Sequence, residues 1–164
     1  MGTAGPAEYL NGLPGNAARA ALTRCCSSRR WVDAMLAARP FASDAALFEA
    51  AGRAWWAVDK DDWLEAFGGH PRIGERGIDA LARHEQAGMN RAGKETRAAL
   101  EQGNREYEAR FGHVFLICAT GKNAAEMLAA LRSRLGNDPT SELKIAAGEQ
   151  AKITRLRLEK LAAS

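Results

Sequence analysis

Ser43-Asp44-Ala45-Ala46-Leu47-Phe48-Glu49-Ala50-Ala51-Gly52-Arg53-Ala54-Trp55-Trp56-Ala57-Val58 is the stretch that decides the fold class. Leu47, Phe48, Ala51, Trp55 and Val58 recur at intervals of three and four, the spacing that lines one side of an α-helix. Ser43 stands where a hydroxyl can accept a hydrogen bond from the first turn. Asp59 can cap a following short helix, Lys60 to Phe67, and Gly68-Gly69 ends it just before His70.

The same reading extends outward. Lys94 to Phe111 is a longer helix with Thr96, Leu100, Asn104, Tyr107 and Phe111 toward one side, stopped by Gly112. Val114 to Ala119 is an apolar run too short to assign as helix or strand by periodicity, and it reads as buried. Thr120-Gly121 breaks it, and Asn123 with Glu126 forms a capping-box pattern that opens a helix to about Leu135, closed by Gly136. Asp138-Pro139 opens the last helix, with Glu142 near its positive end, and the helix runs to about Leu161. Leu143, Ala147, Gln150, Thr154, Arg157 and Leu161 share one side of it, which predicts an inward-facing Arg157. No run alternates apolar and polar residues for long enough to make a half-buried strand, so the chain is expected to be all-α.

The 164 residues are the size of one compact multi-helix domain, 1–164, with 46% hydrophobic and 26% charged residues, near the usual globular values. The net charge of +3 is spread among acidic residues instead of forming the basic stripe of a nucleic-acid binder. Arg29-Arg30 and Arg132 to Arg134 read as solvated helix faces. Met1 to Pro14 lacks a basic region followed by an apolar core, no stretch approaches a bilayer span, and Leu161 to Ser164 is no peroxisomal address. A cytoplasmic location without membrane association is expected. Cys25, Cys26 and Cys118 lack metal or redox spacing and read as reduced thiols, Cys118 as an inert core thiol. His70, His84 and His113 form no metal-ligand pattern, so no metal is expected. Gly121-Lys122 is no phosphate loop, because Leu116 and Asn123 occupy the positions where that loop needs glycine and a hydroxyl residue.

Chemistry concentrates in His70-Pro71-Arg72-Ile73-Gly74-Glu75 and Glu85-Gln86-Ala87-Gly88. An imidazole titrates near neutral pH, and Pro71 restricts His70 to extended backbone angles. Spacing alone does not decide whether His70 meets Glu85 or merely ends a helix. A guanidinium on an inward face needs an anionic partner, which is either a structural carboxylate or a ligand. A small anionic ligand among His70, Glu85 and Arg157 would account for all three.

Taken with Asn104-x-x-Tyr107-x-x-x-Phe111-Gly112-x-x-Phe115-Leu116-Ile117-Cys118-Ala119, Arg134-Leu135-x-Asn137 and Glu149-x-x-Lys152-Ile153-x-x-x-Arg157-Leu158, these motifs cover most of the chain in a consistent order. Together they resemble the 2-oxo-4-hydroxy-4-carboxy-5-ureidoimidazoline (OHCU) decarboxylases of urate breakdown. The resemblance implies an all-α, homodimeric protein without cofactor that converts the ureidoimidazoline to (S)-allantoin and carbon dioxide. It implies His70 as acid/base, with Glu85 and Arg157 beside it as catalytic groups. Pro71, Ala82, Arg83, His84, Glu85, Gln86 and the Ile117, Cys118, Ala119, Thr120 and Gly121 backbone would surround the substrate. Ala82 departs from a serine common in the family, and Arg155 competes with Arg157 if the last helix is registered differently. Association with upstream urate-pathway enzymes stays open. Two other readings also remain at the level of residues: a non-enzymatic helical interaction domain, and another enzyme of ureide metabolism.

Overall fold

A computed structural model describes residues 4–70, 72 and 91–161, and every regular element among them is helical. The helices are α1 (Pro6–Asn11), α2 (Gly15–Cys25), α3 (Arg29–Ala38), α4 (Asp44–Ala57), α5 (Lys60–Phe67), α6 (Arg91–Phe111), α7 (Ala124–Leu135) and α8 (Pro139–Glu159). The fold is all-α. The chain falls into two compact units, one comprising 1–69 with 150–164 and the other 70–149, so the two halves of α8 are counted in different units.

In the first unit the helix boundaries follow their predicted signals. The Ser43 side chain accepts from the Ala46 N–H, and α4 buries Leu47, Ala51 and Trp55. The Asp59 side chain accepts from Asp61 and Asp62 while Asp62 returns a bond to the Asp59 N–H, a complete capping box that starts α5. The helices α1 to α3 carried no sequence signal strong enough to be drawn above. Ser28 caps α3, and the Trp31 indole donates to the Ala51 carbonyl at 3.1 Å, fastening α3 to α4. Asp44 accepts from the Ala7 N–H at 3.0 Å, so the residue that opens α4 also satisfies the start of α1. After α5 the chain passes so close to Ser27 that a Cβ on Gly69 would sit 2.3 Å from the Ser27 hydroxyl. Glycine is required there for space, just before His70.

The second unit is built around Leu100, Tyr107, Phe115, Ile117, Met127, Leu128 and Leu131. Its helices α6 and α7 approach closely at Gly103, where a Cβ would come 2.4 Å from a Leu131 methyl. Gly112 ends α6 with φ of 80°, in the left-handed region that costs other residues. The following run, 113–119, adopts no helix and no strand pairing. Its direction reverses at Gly121 (φ 78°), and the Lys122 N–H donates to the Ala119 carbonyl at 3.0 Å to close the turn. The capping box between Asn123 and Glu126 then starts α7 as its sequence predicts. Pro139 opens α8, and Asp138 accepts from both the N–H and the hydroxyl of Ser141. Those two bonds hold the Asp138 carboxyl below its ordinary pKa.

Candidate active site

The second unit begins at His70, a half-buried bend that follows α5. Two residues on, Arg72 grips Glu108 of α6 with both nitrogens, at 2.7 and 3.0 Å. This two-point contact ties the residue two after His70 to the last turn of a long helix. Sequence reading singled out His70 and passed over Arg72. Pro71, Ala82, Arg83, His84, Glu85 and Gln86 lie outside the described residues.

Ile117, Cys118 and Ala119 belong to a run without helix or strand that leads into the turn at Thr120 and Gly121. Phe115 to Cys118 are all buried, with Cys118 a reduced thiol 8% exposed. The segment has no strand neighbour among the described residues, and side chains bond part of its main chain. Arg134 donates to the Leu116 carbonyl at 2.7 Å, Glu149 accepts from the Cys118 N–H at 2.8 Å, and the Lys122 ammonium donates to the Cys118 carbonyl at 3.1 Å. The lysine of Gly121-Lys122 thus bonds the main chain of its own loop.

Arg134 corrects one expectation. It was read with Arg132 as a solvated face, yet its side chain is 10% exposed and pairs with the fully buried Glu142. Its Nε reaches Glu142 at 2.8 Å, Asn137 donates to the other Glu142 oxygen at 3.0 Å, and the Tyr107 hydroxyl also donates to Glu142. The guanidinium lies over the Phe115 ring, 4.7 Å from its centre. Burial first, and then the hydrogen bond to the Glu142 carboxylate, push the Tyr107 phenol far above its usual range, so it stays a donor. The missed signal was spacing: Arg134 continues the Met127, Leu131 stripe of α7 and therefore points inward.

A second correction concerns α8. Its buried side carries Glu142, Ala146, Ala147, Gln150, Thr154 and Leu158, so the predicted stripe holds at Ala147, Gln150 and Thr154 and differs toward its two ends. Leu158 takes the inward place and Arg157 is exposed, donating to the Arg24 carbonyl at 3.3 Å within the first unit. Arg155 is also exposed. Its guanidinium lies 4.2 Å from the centre of the Phe48 ring and pairs with Glu159 at 3.5 Å. In the same unit Cys25 and Cys26 are buried reduced thiols, and burial pushes both to about 11. Neither thiol is a ready nucleophile at neutral pH.

The family model described as OHCU decarboxylase matches residues 11–159, through both units. The chain belongs to the OHCU decarboxylase family. It is 39% identical over 145 residues to the uric acid degradation bifunctional protein TTL of Arabidopsis thaliana, an alignment covering 84% of this chain and 45% of that protein. It is 40% identical over 74 residues to the 2-oxo-4-hydroxy-4-carboxy-5-ureidoimidazoline decarboxylase of Amia calva, covering 45% of this chain and 42% of the other. The aligned regions thus span less than half the length of these two curated relatives. Among solved structures, an OHCU decarboxylase studied in the presence of (S)-allantoin superposes with a TM-score of 0.76 at 36% identity. That match covers 87% of this chain and 96% of the other. Among the described residues no helix is long and apolar enough to cross a membrane.

Proposed function

We propose that this chain decarboxylates 2-oxo-4-hydroxy-4-carboxy-5-ureidoimidazoline to (S)-allantoin and carbon dioxide in urate catabolism. The observation that carries this reading is the match to the OHCU decarboxylase studied with (S)-allantoin, which takes in 96% of that protein's chain. The family match from residue 11 to residue 159 supports treating 1–164 as one functional domain. The reading includes a homodimer acting in the cytoplasm on a small anionic ureidoimidazoline, with no cofactor.

The chemistry suits such a substrate. Loss of carbon dioxide breaks a carbon–carbon bond and leaves its electron pair on the ring, where the adjacent carbon–nitrogen double bond delocalises it. The protein's task is to hold the departing carboxylate perpendicular to the ring, stabilise the developing charge and deliver one proton to one face. We assign the proton to His70, and to Glu85 the orientation of the substrate hydroxyl or ureido group. Arg157 is assigned the grip on substrate oxygens through charge-assisted hydrogen bonds. Arg157 is preferred to Arg155 because it precedes Leu158 in the Lys152-Ile153-x-x-x-Arg157-Leu158 pattern. Main-chain groups of Ile117 to Gly121 would meet the ring, and Pro71, Ala82, Arg83, His84 and Gln86 would complete its surroundings. A positioned general acid contributes ~10²- to 10⁴-fold, so orientation and charge stabilisation supply the remainder.

The test is to add the purified protein to urate undergoing oxidation and hydrolysis and to follow the rate and handedness of allantoin formation. Faster formation of the (S) enantiomer alone is expected. A product as slow and as racemic as spontaneous decay would overturn the proposal. Exchanging Arg157 for Lys should raise KM, because one ammonium cannot reproduce a planar two-point grip. If only Arg155→Lys raises it, the arginine assignment is wrong.

A further inference from the structure

A guanidinium that meets a carboxylate with two nitrogens is fixed in orientation as well as in distance, because both groups are planar forks. The exposed pairs Arg19–Asp33 and Arg53–Glu49 each meet through one nitrogen and one oxygen. Arg72 and Glu108 meet through two of each, Nε to Oε2 at 2.7 Å and Nη2 to Oε1 at 3.0 Å, across 36 residues of chain. The Glu108 side chain is 23% exposed, so water screens this contact less than an open surface pair. The support behind Glu108 is firm. It lies in the last turn of α6, one residue after Tyr107, which is fully buried and donates to Glu142. Tyr107 also packs on Phe111 and Phe115, with ring centres 4.6 and 5.3 Å away, and Arg110 donates to the Asn137 carbonyl at 2.7 Å. Arg72 in turn stands two residues after His70. Few soft angles separate them, since a proline ring fixes its own φ and confines the preceding residue to extended backbone. What fixes Arg72 therefore limits where the His70 imidazole can point. A proton donor gains from such restraint, because a displacement of about 1 Å can cost ~10²-fold in rate.

We infer that Glu108 is a positioning residue for the decarboxylation: through its two-point hold on Arg72 it fixes the backbone that carries His70, so that the imidazole stays aimed at the ring carbon that takes the proton. The inference rests on the function proposed above and adds what aims its proton donor. Losing either partner of the pair frees the chain after His70, and the imidazole then spends less time in line with the substrate.

The experiment uses the full chain and compares E108A, R72A and the double variant R72A/E108A. Each should lower kcat roughly tenfold with KM changed by less than about twofold, and the double variant should be no slower than either single one, because both act through one contact. Calorimetric titration with (S)-allantoin should show the wild-type number of binding sites per chain in all three. His70 is one of three histidines, so its ring signal in the NMR spectrum is identified by its loss in H70A. That signal should move in the double variant, whose net charge equals that of the wild type. A kcat for E108A within about twofold of wild type, additive losses in the double variant, or an unmoved His70 signal would overturn the inference while leaving the decarboxylase reading intact. So would a fall in kcat matched by an equal fall in binding sites, the mark of a purely structural role. A wild-type protein that neither forms (S)-allantoin nor binds it would overturn both.

Discussion

The helices α4 and α5 and the irregular run 114–119 all carry buried residues, but their main chains find partners in opposite ways. In α4 and α5 the hydrogen bonds close within four residues, and the ends are finished by Ser43 and by the Asp59–Asp62 box, also within four. The run 114–119 adopts neither helix nor strand pairing and has no such local option. Its bonds come from Arg134 at 18 residues' separation and Glu149 at 31, with Lys122 the only short-range contributor of the three. Elements that satisfy themselves locally can be read from a sequence window. An element satisfied by distant side chains can be recognised only when those side chains are in place.

The largest way to sharpen this contrast is His70→Ala, which alters the residue immediately after the locally organised stretch. Turnover to (S)-allantoin should fall by ~10²- to 10⁴-fold while the helical circular dichroism is kept. Near-normal turnover would remove His70 from the reaction. Next comes Arg134→Met, which strands the buried Glu142 carboxylate and should cost about 3–5 kcal/mol in urea unfolding. Arg134→Met with Glu142→Leu should recover much of that, because the uncompensated charge goes with it. If the single variant costs less than about 1 kcal/mol, distant side chains do not hold the second unit as described.

The first unit has a non-local weakness of its own in Cys25 and Cys26. Their thiols titrate at about 11 in the fold against 9.0 when unperturbed. A raised pKa contributes stability that is whole below pH 9 and is lost as pH rises toward about 11. Thermal unfolding followed across that window should show a falling midpoint, and Cys25→Ala with Cys26→Ala should flatten the fall, since each pKa unit corresponds to about 1.4 kcal/mol. The smallest effect is expected for Ser43→Ala, about 1 kcal/mol, with catalysis unchanged. A Ser43→Ala loss equal to that of Arg134→Met would erase the distinction between the two regions.

Legibility followed the same division. The boundaries of α4, α5 and α7 are written in caps and apolar spacing, and the buried side of α6 at Leu100, Asn104 and Tyr107 is written in its periodicity. In α8 the predicted stripe was right at Ala147, Gln150 and Thr154 and wrong toward its ends, where Glu142 and Leu158 are buried in place of Leu143 and Arg157. Charge misled at Arg134, which reads as a surface residue until the buried Glu142 is seen to neutralise it.

The sequence by itself determined that the chain is helical, where most helices start and stop, that 114–119 is buried, and, through motifs spread along its length, which family it resembles. These properties depend on capping, periodicity and residue order, all of which are present before the chain folds. Only the tertiary structure decided that 114–119 is neither helix nor paired strand, which distant side chains bond its main chain, that Arg134 and Glu142 form a buried pair, and that Arg157 is exposed. Each of those outcomes depends on partners remote in sequence, and their satisfaction is known only after the helices have packed.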